Sequence, residues 1–193
     1  MLFQITIPAF LFVFYAIYFA KAVMLKKQGI SADLLGKGDK PKKAVWIEIG
    51  LKMITYSGAV IKFMSAIFQP FLSVFNPPLV VRVIGCVFAL IGVVFFGISV
   101  KTMQNNWRAG FDKRQETSLV TSGIYQFSRN PAFVGFDLLY IGCALVFPNV
   151  AMLSIAAAAV AAFHIQIIGE ERFLEEKFGR EYIDYKNKVR RYL

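Results

Sequence analysis

Apolar stretches of membrane-spanning length alternate with short polar stretches along the chain, and this alternation predicts its elements. Three apolar stretches come first, at about residues 2–23, 44–68 and 79–100. A fourth, from 131 to 168, is too long for one span, and Pro148 and Asn149 in its middle supply a turn. Since a bilayer-spanning helix needs about 20 apolar residues, we predict five transmembrane helices. The last two form an antiparallel hairpin over about 131–147 and 150–168.

The composition supports the same fold class. Of the 193 residues, 57% are hydrophobic and only 18% are charged, and the mean hydropathy is +0.56. A soluble domain of this size carries more charge and fewer apolar residues. We therefore predict an all-α, polytopic membrane protein with a single domain over 1–193. Residues 1–100 hold three spans, and residues 101–193 hold a polar loop, the helical hairpin and a tail helix.

The net charge of +10 is distributed in a pattern typical of orientation signals. The polar segments 25–44, 101–130 and 169–193 together hold 18 of the 22 lysines and arginines. Since basic loops mark the cytosolic side, we expect the N-terminus outside and the tail in the cytosol, in a plasma membrane of prokaryotic type. This distribution favours contact with membrane lipids over a nucleic-acid partner. The first four residues carry no basic side chain, which predicts that there is no cleaved signal peptide.

Charged and sulfur-bearing residues within the spans have structural explanations. Glu48 and Lys52 are four residues apart on one helix and are predicted to pair. Lys62 lies towards the far end of its span, and we expect its amine to extend outward to the membrane surface. Cys86 and Cys143 lack the spacing of a metal site or a disulfide framework. They are predicted to be small core residues, and no metal is expected.

The candidate chemistry begins in the polar loop before the hairpin. Ser122-Gly123 is a turn signal, Asn130 is a favourable N-cap, and Pro131 fits the first turn of a helix. The hairpin should return the chain so that Glu170 lies beside this helix start. Helix N–H groups suit a carboxylate, and a glutamate with aromatic rings suits a cation. The pattern therefore predicts a pocket for a zwitterionic ligand.

Each candidate residue also has a simpler explanation. Glu170-Glu171 could begin a solvated helix, and Arg129 could anchor the loop at the membrane edge. His164, deeper in its span, could make an interhelical hydrogen bond. Asp137 is also deeper, and an acid within a span is functional by default, although a partner such as Lys52 could neutralise it. Three aromatic residues could be ordinary interfacial side chains: Tyr125, Phe133 and Trp107.

Two stretches resemble the signatures of one enzyme family. The first is LVTSGIY over 119–125, followed by RNPAFVG over 129–135. The second is the pair Glu170-Glu171, followed by KFGREYIDY over 177–185. Together they resemble the isoprenylcysteine carboxyl methyltransferase family, and the related phospholipid N-methyltransferases share the scheme of a loop with paired glutamates. The resemblance covers about residues 101–193, half of the chain.

The resemblance implies S-adenosylmethionine as the cofactor, with its charged end held by Glu170. The residues implied to bind it are Thr117, Ser118, Leu119, Val120, Tyr125, Asn130, Pro131, Ala132, Phe133, Glu170 and Glu171. Asn130 and Phe133 stand where the family has His and Tyr, and we expect cofactor binding to survive both changes. Gln166 stands where carboxyl-methylating members have a substrate-binding Arg. A neutral amide is a weaker partner for a carboxylate than a guanidinium group is.

By resemblance, the chain is expected to be a membrane methyltransferase that transfers a methyl group from a sulfonium to a lipophilic acceptor. The acceptor would be the carboxylate of a prenylcysteine-like compound or a lipid amine. The candidate catalytic residues are Arg129, Gln166, His164 and Asp137. His164 or Asp137 would take the proton from an amine, whereas a carboxylate needs no general base. Two alternatives stay open: an NADPH-dependent reductase of steroid-reductase type, and a transporter or scaffold without enzymatic activity.

Overall fold

The computed structural model describes residues 2–72, 76–114 and 116–193, which fold mainly as helices. Within them, the α-helices are α1 Leu2–Lys27, α2 Lys42–Ile67, α3 Gln69–Leu72, α4 Leu79–Met103, α5 Pro131–Val146, α6 Val150–Phe178 and α7 Arg180–Lys188. Extended pairing in the described residues is limited to one isolated bridge, between Asp33 and Ala109. The predicted all-α fold is confirmed.

Four of the helices, α1, α2, α4 and α6, are long and apolar enough to cross a membrane. The fifth predicted span, α5, has 16 residues, and at 1.5 Å per residue its length is about 24 Å. It begins at Pro131 and ends before the turn at 147–149, so it is shorter than a bilayer core of about 30 Å. The prediction of a polytopic helical membrane protein is confirmed, with one of its five apolar helices short.

The predicted hairpin forms as α5 and α6. Asn149 is the N-cap of α6, and its side-chain oxygen accepts a hydrogen bond from the Met152 N–H at 2.9 Å. The Asn149 Nδ2 donates to the Ser65 Oγ on α2 at 2.9 Å, which fixes the turn to a neighbouring helix. Because α6 continues beyond the predicted end at 168, it carries the Glu170-Glu171 pair on its own surface.

Glycines bring α4 and α5 into backbone contact. A Cβ atom added to Gly92 would lie 2.6 Å from the Gly135 carbonyl oxygen, and one added to Gly142 would lie 2.5 Å from that of Gly85. Larger residues at these positions would force the helices apart. The close seam fixes the position of α5, and with it the helix start at which the candidate site lies.

The polar segment 28–41 and the described residues of 104–130 meet at one end of the bundle, which we call the loop end. The Leu34 N–H donates to the Ala109 carbonyl oxygen at 2.8 Å. The Ala109 N–H donates in turn to the Ala32 carbonyl oxygen at 2.8 Å. The first loop is therefore hydrogen-bonded across the second at the ends of the membrane helices.

The predicted ion pair between Glu48 and Lys52 is wrong. Glu48 pairs with Lys40 at 2.6 Å, and Lys52 pairs with Asp33 at 2.6 Å. Both partners come from the first loop, which folds back over the start of α2. Spacing along one helix does not show this arrangement, because it depends on where the loop lies in three dimensions.

Lys62 is buried and does not extend to the membrane surface. Its side chain is 1% exposed, and its amine lies 3.5 Å from the centre of the Tyr140 ring and 5.7 Å from that of Tyr15. A cation over an aromatic face is attracted by the negative potential of the ring. The outward orientation predicted from the sequence is therefore wrong, because α1 and α5 provide aromatic faces for this amine.

Candidate functional site

A cavity of about 490 Å³ lies among α1, α2, α5 and α6 and extends to the loop end. Its walls at the loop end carry polar side chains, including Asp33, Arg108, Thr117, Ser118 and Glu170. The other end is apolar and aromatic, and is lined by Phe12, Tyr15, Phe63, Tyr140 and Phe163. A polar end joined to an apolar end suits two ligand parts of different character, one water-soluble and one lipophilic.

The segment 117–120 lies along the cavity wall, where Asn106 holds it. The Asn106 Oδ1 accepts from the Ser118 N–H at 3.0 Å and from the Thr117 Oγ1 at 3.2 Å. The Asn106 Nδ2 donates to the Ser118 Oγ at 2.9 Å. These three hydrogen bonds fix a stretch of backbone that belongs to no regular element, and its polar groups can therefore serve as ligand contacts.

A short 3₁₀ turn, Gly123–Gln126, follows this segment and places Tyr125 in the cavity wall. Gly123 has a φ of +59°, a left-handed conformation that glycine adopts readily. The Tyr125 carbonyl oxygen accepts a hydrogen bond from the Tyr185 hydroxyl on α7 at 2.6 Å. Burial raises the pKa of Tyr185 to about 12, so this hydroxyl keeps its proton at neutral pH and holds the turn against the tail.

Asn130 stands at the N-cap position of α5 and Pro131 in its first turn, as the sequence predicts. The Asn130 side chain, however, makes no capping hydrogen bond to α5. Its Nδ2 donates to the Glu171 Oε1 at 3.2 Å and to the Arg191 carbonyl oxygen at 3.2 Å. The amide thus joins the helix start to the tail, while Asn130 also lines the cavity.

Glu171 is buried in an ion-pair network and does not line the cavity. The Arg129 Nη2 donates to its Oε1 at 2.8 Å, and the Arg191 Nη2 donates to its Oε2 at 2.8 Å. The Arg129 Nη1 also donates to the Val189 carbonyl oxygen at 2.6 Å. Although Arg129 lines the cavity, its positive charge is therefore neutralised within the protein.

Glu170 and Gln166 lie one helical turn apart on α6, and both line the cavity. The Gln166 Nε2 donates to the Glu170 Oε1 at 2.9 Å and to the Glu48 Oε1 on α2 at 3.3 Å. Glu48 is in turn paired with Lys40. Neither Glu48 nor Lys40 was predicted from the sequence to contact a site residue. The sequence showed only that Glu48 is an acid within a span, and helix spacing predicted Lys52 as its partner.

Asp137 and His164 lie on the other face of the α5–α6 hairpin, in a groove of about 810 Å³. Among the described residues, no side chain lines both this groove and the cavity. The His164 Nδ1 is hydrogen-bonded to the Tyr192 hydroxyl. The Asp137 Oδ1 is buried without a hydrogen-bond partner in the part of the chain that the structure describes. The hairpin thus separates these two catalytic candidates from the cavity.

Most of the sequence-predicted site residues line the cavity, namely Thr117, Ser118, Leu119, Val120, Tyr125, Arg129, Asn130, Ala132, Phe133, Gln166 and Glu170. Those that do not are Pro131, Glu171, Asp137 and His164. One wall of the cavity was not predicted from the sequence. It belongs to α1, α2 and the first loop, which supply Tyr15, Tyr18, Asp33 and Tyr56. The signatures begin after residue 100, so they carry no information about this wall.

The chain is similar to a family of known proteins. The profile of the phospholipid methyltransferase family matches residues 80–181, which is more than half of the chain. The chain is 34% identical over 110 residues to protein-S-isoprenylcysteine O-methyltransferase of Saccharomyces cerevisiae, and 28% identical over 109 residues to that of Dictyostelium discoideum. The Xenopus laevis protein of the same name is 34% identical over 110 residues.

Each of these alignments covers 55% of the chain. They cover 46% of the yeast protein, 46% of the Dictyostelium protein and 38% of the Xenopus protein. The chain therefore spans less than half the length of these curated relatives. The family match at 80–181 includes the hairpin and the loop before it, whereas α1 and α2 lie outside it.

Proposed function

The chain belongs to the phospholipid methyltransferase family, and we propose that it transfers a methyl group from S-adenosylmethionine to a lipophilic acceptor. The observation that carries this proposal is the cavity, which joins a polar loop end to an aromatic, apolar end. Such a cavity can bring a water-soluble donor and a membrane-soluble acceptor together. The name of the relatives, protein-S-isoprenylcysteine O-methyltransferase, supports an acceptor with a long apolar chain.

The residues at the loop end fit this cofactor. The segment 117–120 offers backbone polar groups, Tyr125 and Phe133 offer aromatic faces, and Glu170 offers a carboxylate. A carboxylate and aromatic faces attract a sulfonium or an ammonium group, and we assign Glu170 to the charged end of the cofactor. S-adenosylmethionine, when bound, supplies a methyl group that is already activated. The protein then has to align the acceptor and exclude water from the cavity.

The apolar end of the cavity opens sideways between α1 and α2. Phe12, Phe19 and Tyr56 line the cavity and yet are 72%, 62% and 63% exposed. In a membrane these rings would face lipid, so the acceptor would enter from the bilayer between the two helices. Its apolar chain would pack against the aromatic end of the cavity, and its reacting group would lie near Gln166.

Two acceptor classes fit this arrangement, the carboxylate of a prenylcysteine-like compound and a lipid amine. Gln166 offers a neutral amide, and its nitrogen already donates to Glu48 and Glu170, which weakens it as a partner for a further carboxylate. Arg129 is proposed as a positioning residue, since it holds the loop through Glu171. His164 and Asp137 line the separate groove, so we assign them no part in the reaction.

We place the loop end in the cytosol, because basic loops accumulate there. The N-terminus then lies outside, in a plasma membrane of prokaryotic type. Single cysteines introduced at Lys37, in the first loop, and at Asn76, between α3 and α4, test this orientation. In intact cells an impermeant maleimide should label the Asn76→Cys variant and should label Lys37→Cys only after lysis. The reverse pattern would contradict the orientation and leave the methyl-transfer proposal intact.

Calorimetric titration of the detergent-purified chain with S-adenosylmethionine tests the proposed function. Wild type should bind the cofactor, and Glu170→Ala should weaken binding at least about tenfold, since it removes a charged partner. Glu176→Ala is the matched control, because Glu176 lies on the same helix, is exposed and pairs with Lys113. This control should bind as wild type does.

Folded wild type that binds no S-adenosylmethionine, with or without a prenylated carboxylate or a lipid amine, would contradict the proposal. Binding of NADPH in its place would instead favour the reductase. Transfer of a labelled methyl group to one of the two lipid classes then identifies the acceptor. The calorimetric result comes first, because it does not depend on a correct choice of acceptor.

A further inference from the structure

Glu48 lies on α2, outside the part of the chain that matches the family, yet it contacts a residue of the cavity wall. We infer that Glu48 is a positioning residue for Glu170 and that it acts through Gln166. This inference rests on the proposed function, in which Glu170 holds the charged end of the cofactor. It implies that the N-terminal half of the chain completes the cofactor site as well as forming part of the bundle.

The Glu48 carboxylate is fully buried and is held from one side by the first loop. Its Oε2 accepts from the Lys40 Nζ at 2.6 Å and from the Gly36 N–H at 2.8 Å. The Lys40 Nζ also donates to the Leu34 carbonyl oxygen at 3.0 Å, and the Lys40 side chain is fully buried. These contacts leave Glu48 little freedom to move, so its Oε1 is a fixed acceptor.

Gln166 connects this fixed acceptor to the cavity. Its Nε2 carries two hydrogens, one of which is directed to the Glu48 Oε1 at 3.3 Å and the other to the Glu170 Oε1 at 2.9 Å. A side-chain amide has one donor end and one acceptor end. With Glu48 present, the donor end must face both carboxylates, because the amide oxygen would be repelled by them. Without Glu48, the Gln166 amide is free to rotate away from Glu170.

The charges in this chain of contacts explain why the first loop takes part. Glu48 and Glu170 are bridged by a single neutral amide, and two uncompensated carboxylates in that arrangement would repel each other. Lys40 neutralises Glu48, so the negative charge of Glu170 is the one available to the cavity. Buried ion pairs contribute little net stability, although removal of one partner alone is costly.

Paired substitutions therefore separate positioning from folding. The Lys40→Met/Glu48→Leu variant removes the ion pair and the acceptor for Gln166, whereas Lys40→Met/Glu48→Gln removes the ion pair and keeps an acceptor oxygen. Neither variant leaves a buried charge without its partner. Both should unfold thermally at similar temperatures. We expect the leucine pair to weaken S-adenosylmethionine binding about tenfold and the glutamine pair to recover most of that loss.

The same comparison in a Gln166→Leu background tests the route of the effect. If Glu48 acts through Gln166, the two pairs should bind the cofactor equally in that background. Equal affinities of the two pairs when Gln166 is present, or a difference that persists without it, would overturn the inference. If wild type binds no S-adenosylmethionine, the proposed function fails and the inference fails with it. If wild type binds and the pairs behave alike, only the inference fails.

Discussion

One face of the α5–α6 hairpin lines the cavity, and the other lines the groove that contains Asp137. On the cavity face, Gln166 and Glu170 are hydrogen-bonded to each other, and Gln166 is bonded to Glu48 on α2. On the groove face, His164 is bonded to Tyr192, and the Asp137 Oδ1 is buried without a partner in the described part of the chain. The same pair of helices thus carries two polar clusters of different organisation.

The two faces differ in whether their buried acids have hydrogen-bond partners among the described residues, and this difference indicates which polar residues of the hairpin are positioned for a ligand. A buried carboxylate is costly unless its oxygens are paired. On the cavity face, Gln166 donates to Glu170, and Gln166 is in turn bonded to Glu48, which the first loop holds through Lys40. Glu170 is therefore held in a defined position beside a cavity of about 490 Å³. On the groove face, the acid shares the groove with small apolar residues such as Ala156, Ala157 and Ala161. Substitutions on both faces test this comparison.

Glu171 anchors the loop before α5 to the tail, and its removal should have the largest effect on stability. Glu171→Ala leaves Arg129 and Arg191 without their shared partner, and Arg129 is largely buried. We expect the free energy of unfolding in detergent to fall by about 3–5 kcal/mol, as for other broken buried pairs. Chemical unfolding followed by circular dichroism measures this change.

The matched control for Glu171→Ala is Asp184→Ala, which removes the exposed ion pair with Arg180 on α7. It should cost on the order of 0.5 kcal/mol or less, because exposed pairs contribute little. If Glu171→Ala is no more destabilising than this control, the network around Glu171 does not hold the cavity face together.

Two alanines allow the faces to be filled separately. Ala132 lines the cavity and Ala157 lines the groove. Ala132→Phe should weaken S-adenosylmethionine binding about tenfold, because the larger ring occupies cofactor space. Ala157→Phe should leave the affinity within about twofold of wild type, because sites on opposite faces are close to independent. Calorimetry on both variants measures the contrast, and a stronger effect of Ala157→Phe would reverse the assignment of the two faces.

The smallest effect is expected at Asp137. Asp137→Asn keeps the shape of the side chain and removes an acid whose Oδ1 lacks a partner among the described residues. We expect a gain of up to about 1 kcal/mol in the free energy of unfolding and no change in cofactor affinity. A loss of cofactor binding or of methyl transfer in this variant would show that Asp137 takes part in the function. The cavity face would then not be the only functional face of the hairpin.

Local sequence patterns predicted the elements of the site well. The turn at Ser122-Gly123 and the helix start at Asn130 and Pro131 both occur where they were expected. These features follow from the backbone preferences of a few adjacent residues. The hairpin turn at Asn149 also occurs as predicted, for the same reason. The sequence alone therefore predicted that the loop before α5 lies beside the C-terminal part of α6, without information about the other helices.

The faces of the hairpin could not be predicted in this way. α5 is apolar on nearly all sides, so its periodicity does not indicate which side faces the cavity and which side faces the groove. Asp137 and His164 were accordingly predicted to lie with the cavity residues, whereas in the structure they line the groove. Glu170 was expected beside the start of α5 and lines the same cavity as Asn130, but the residue bonded to Arg129 and Asn130 is Glu171.

The sequence by itself determined the all-α membrane fold, the hairpin and the family signatures, because these depend on hydropathy and on short stretches of chain. Only the tertiary structure decided that Lys40 and Glu48 stand behind Gln166, and that Glu170, unlike Glu171, lines the cavity. Glu48 and Gln166 are 118 residues apart in the chain. Contacts at such a distance depend on the packing of whole helices and on the path of a loop, which no local pattern encodes.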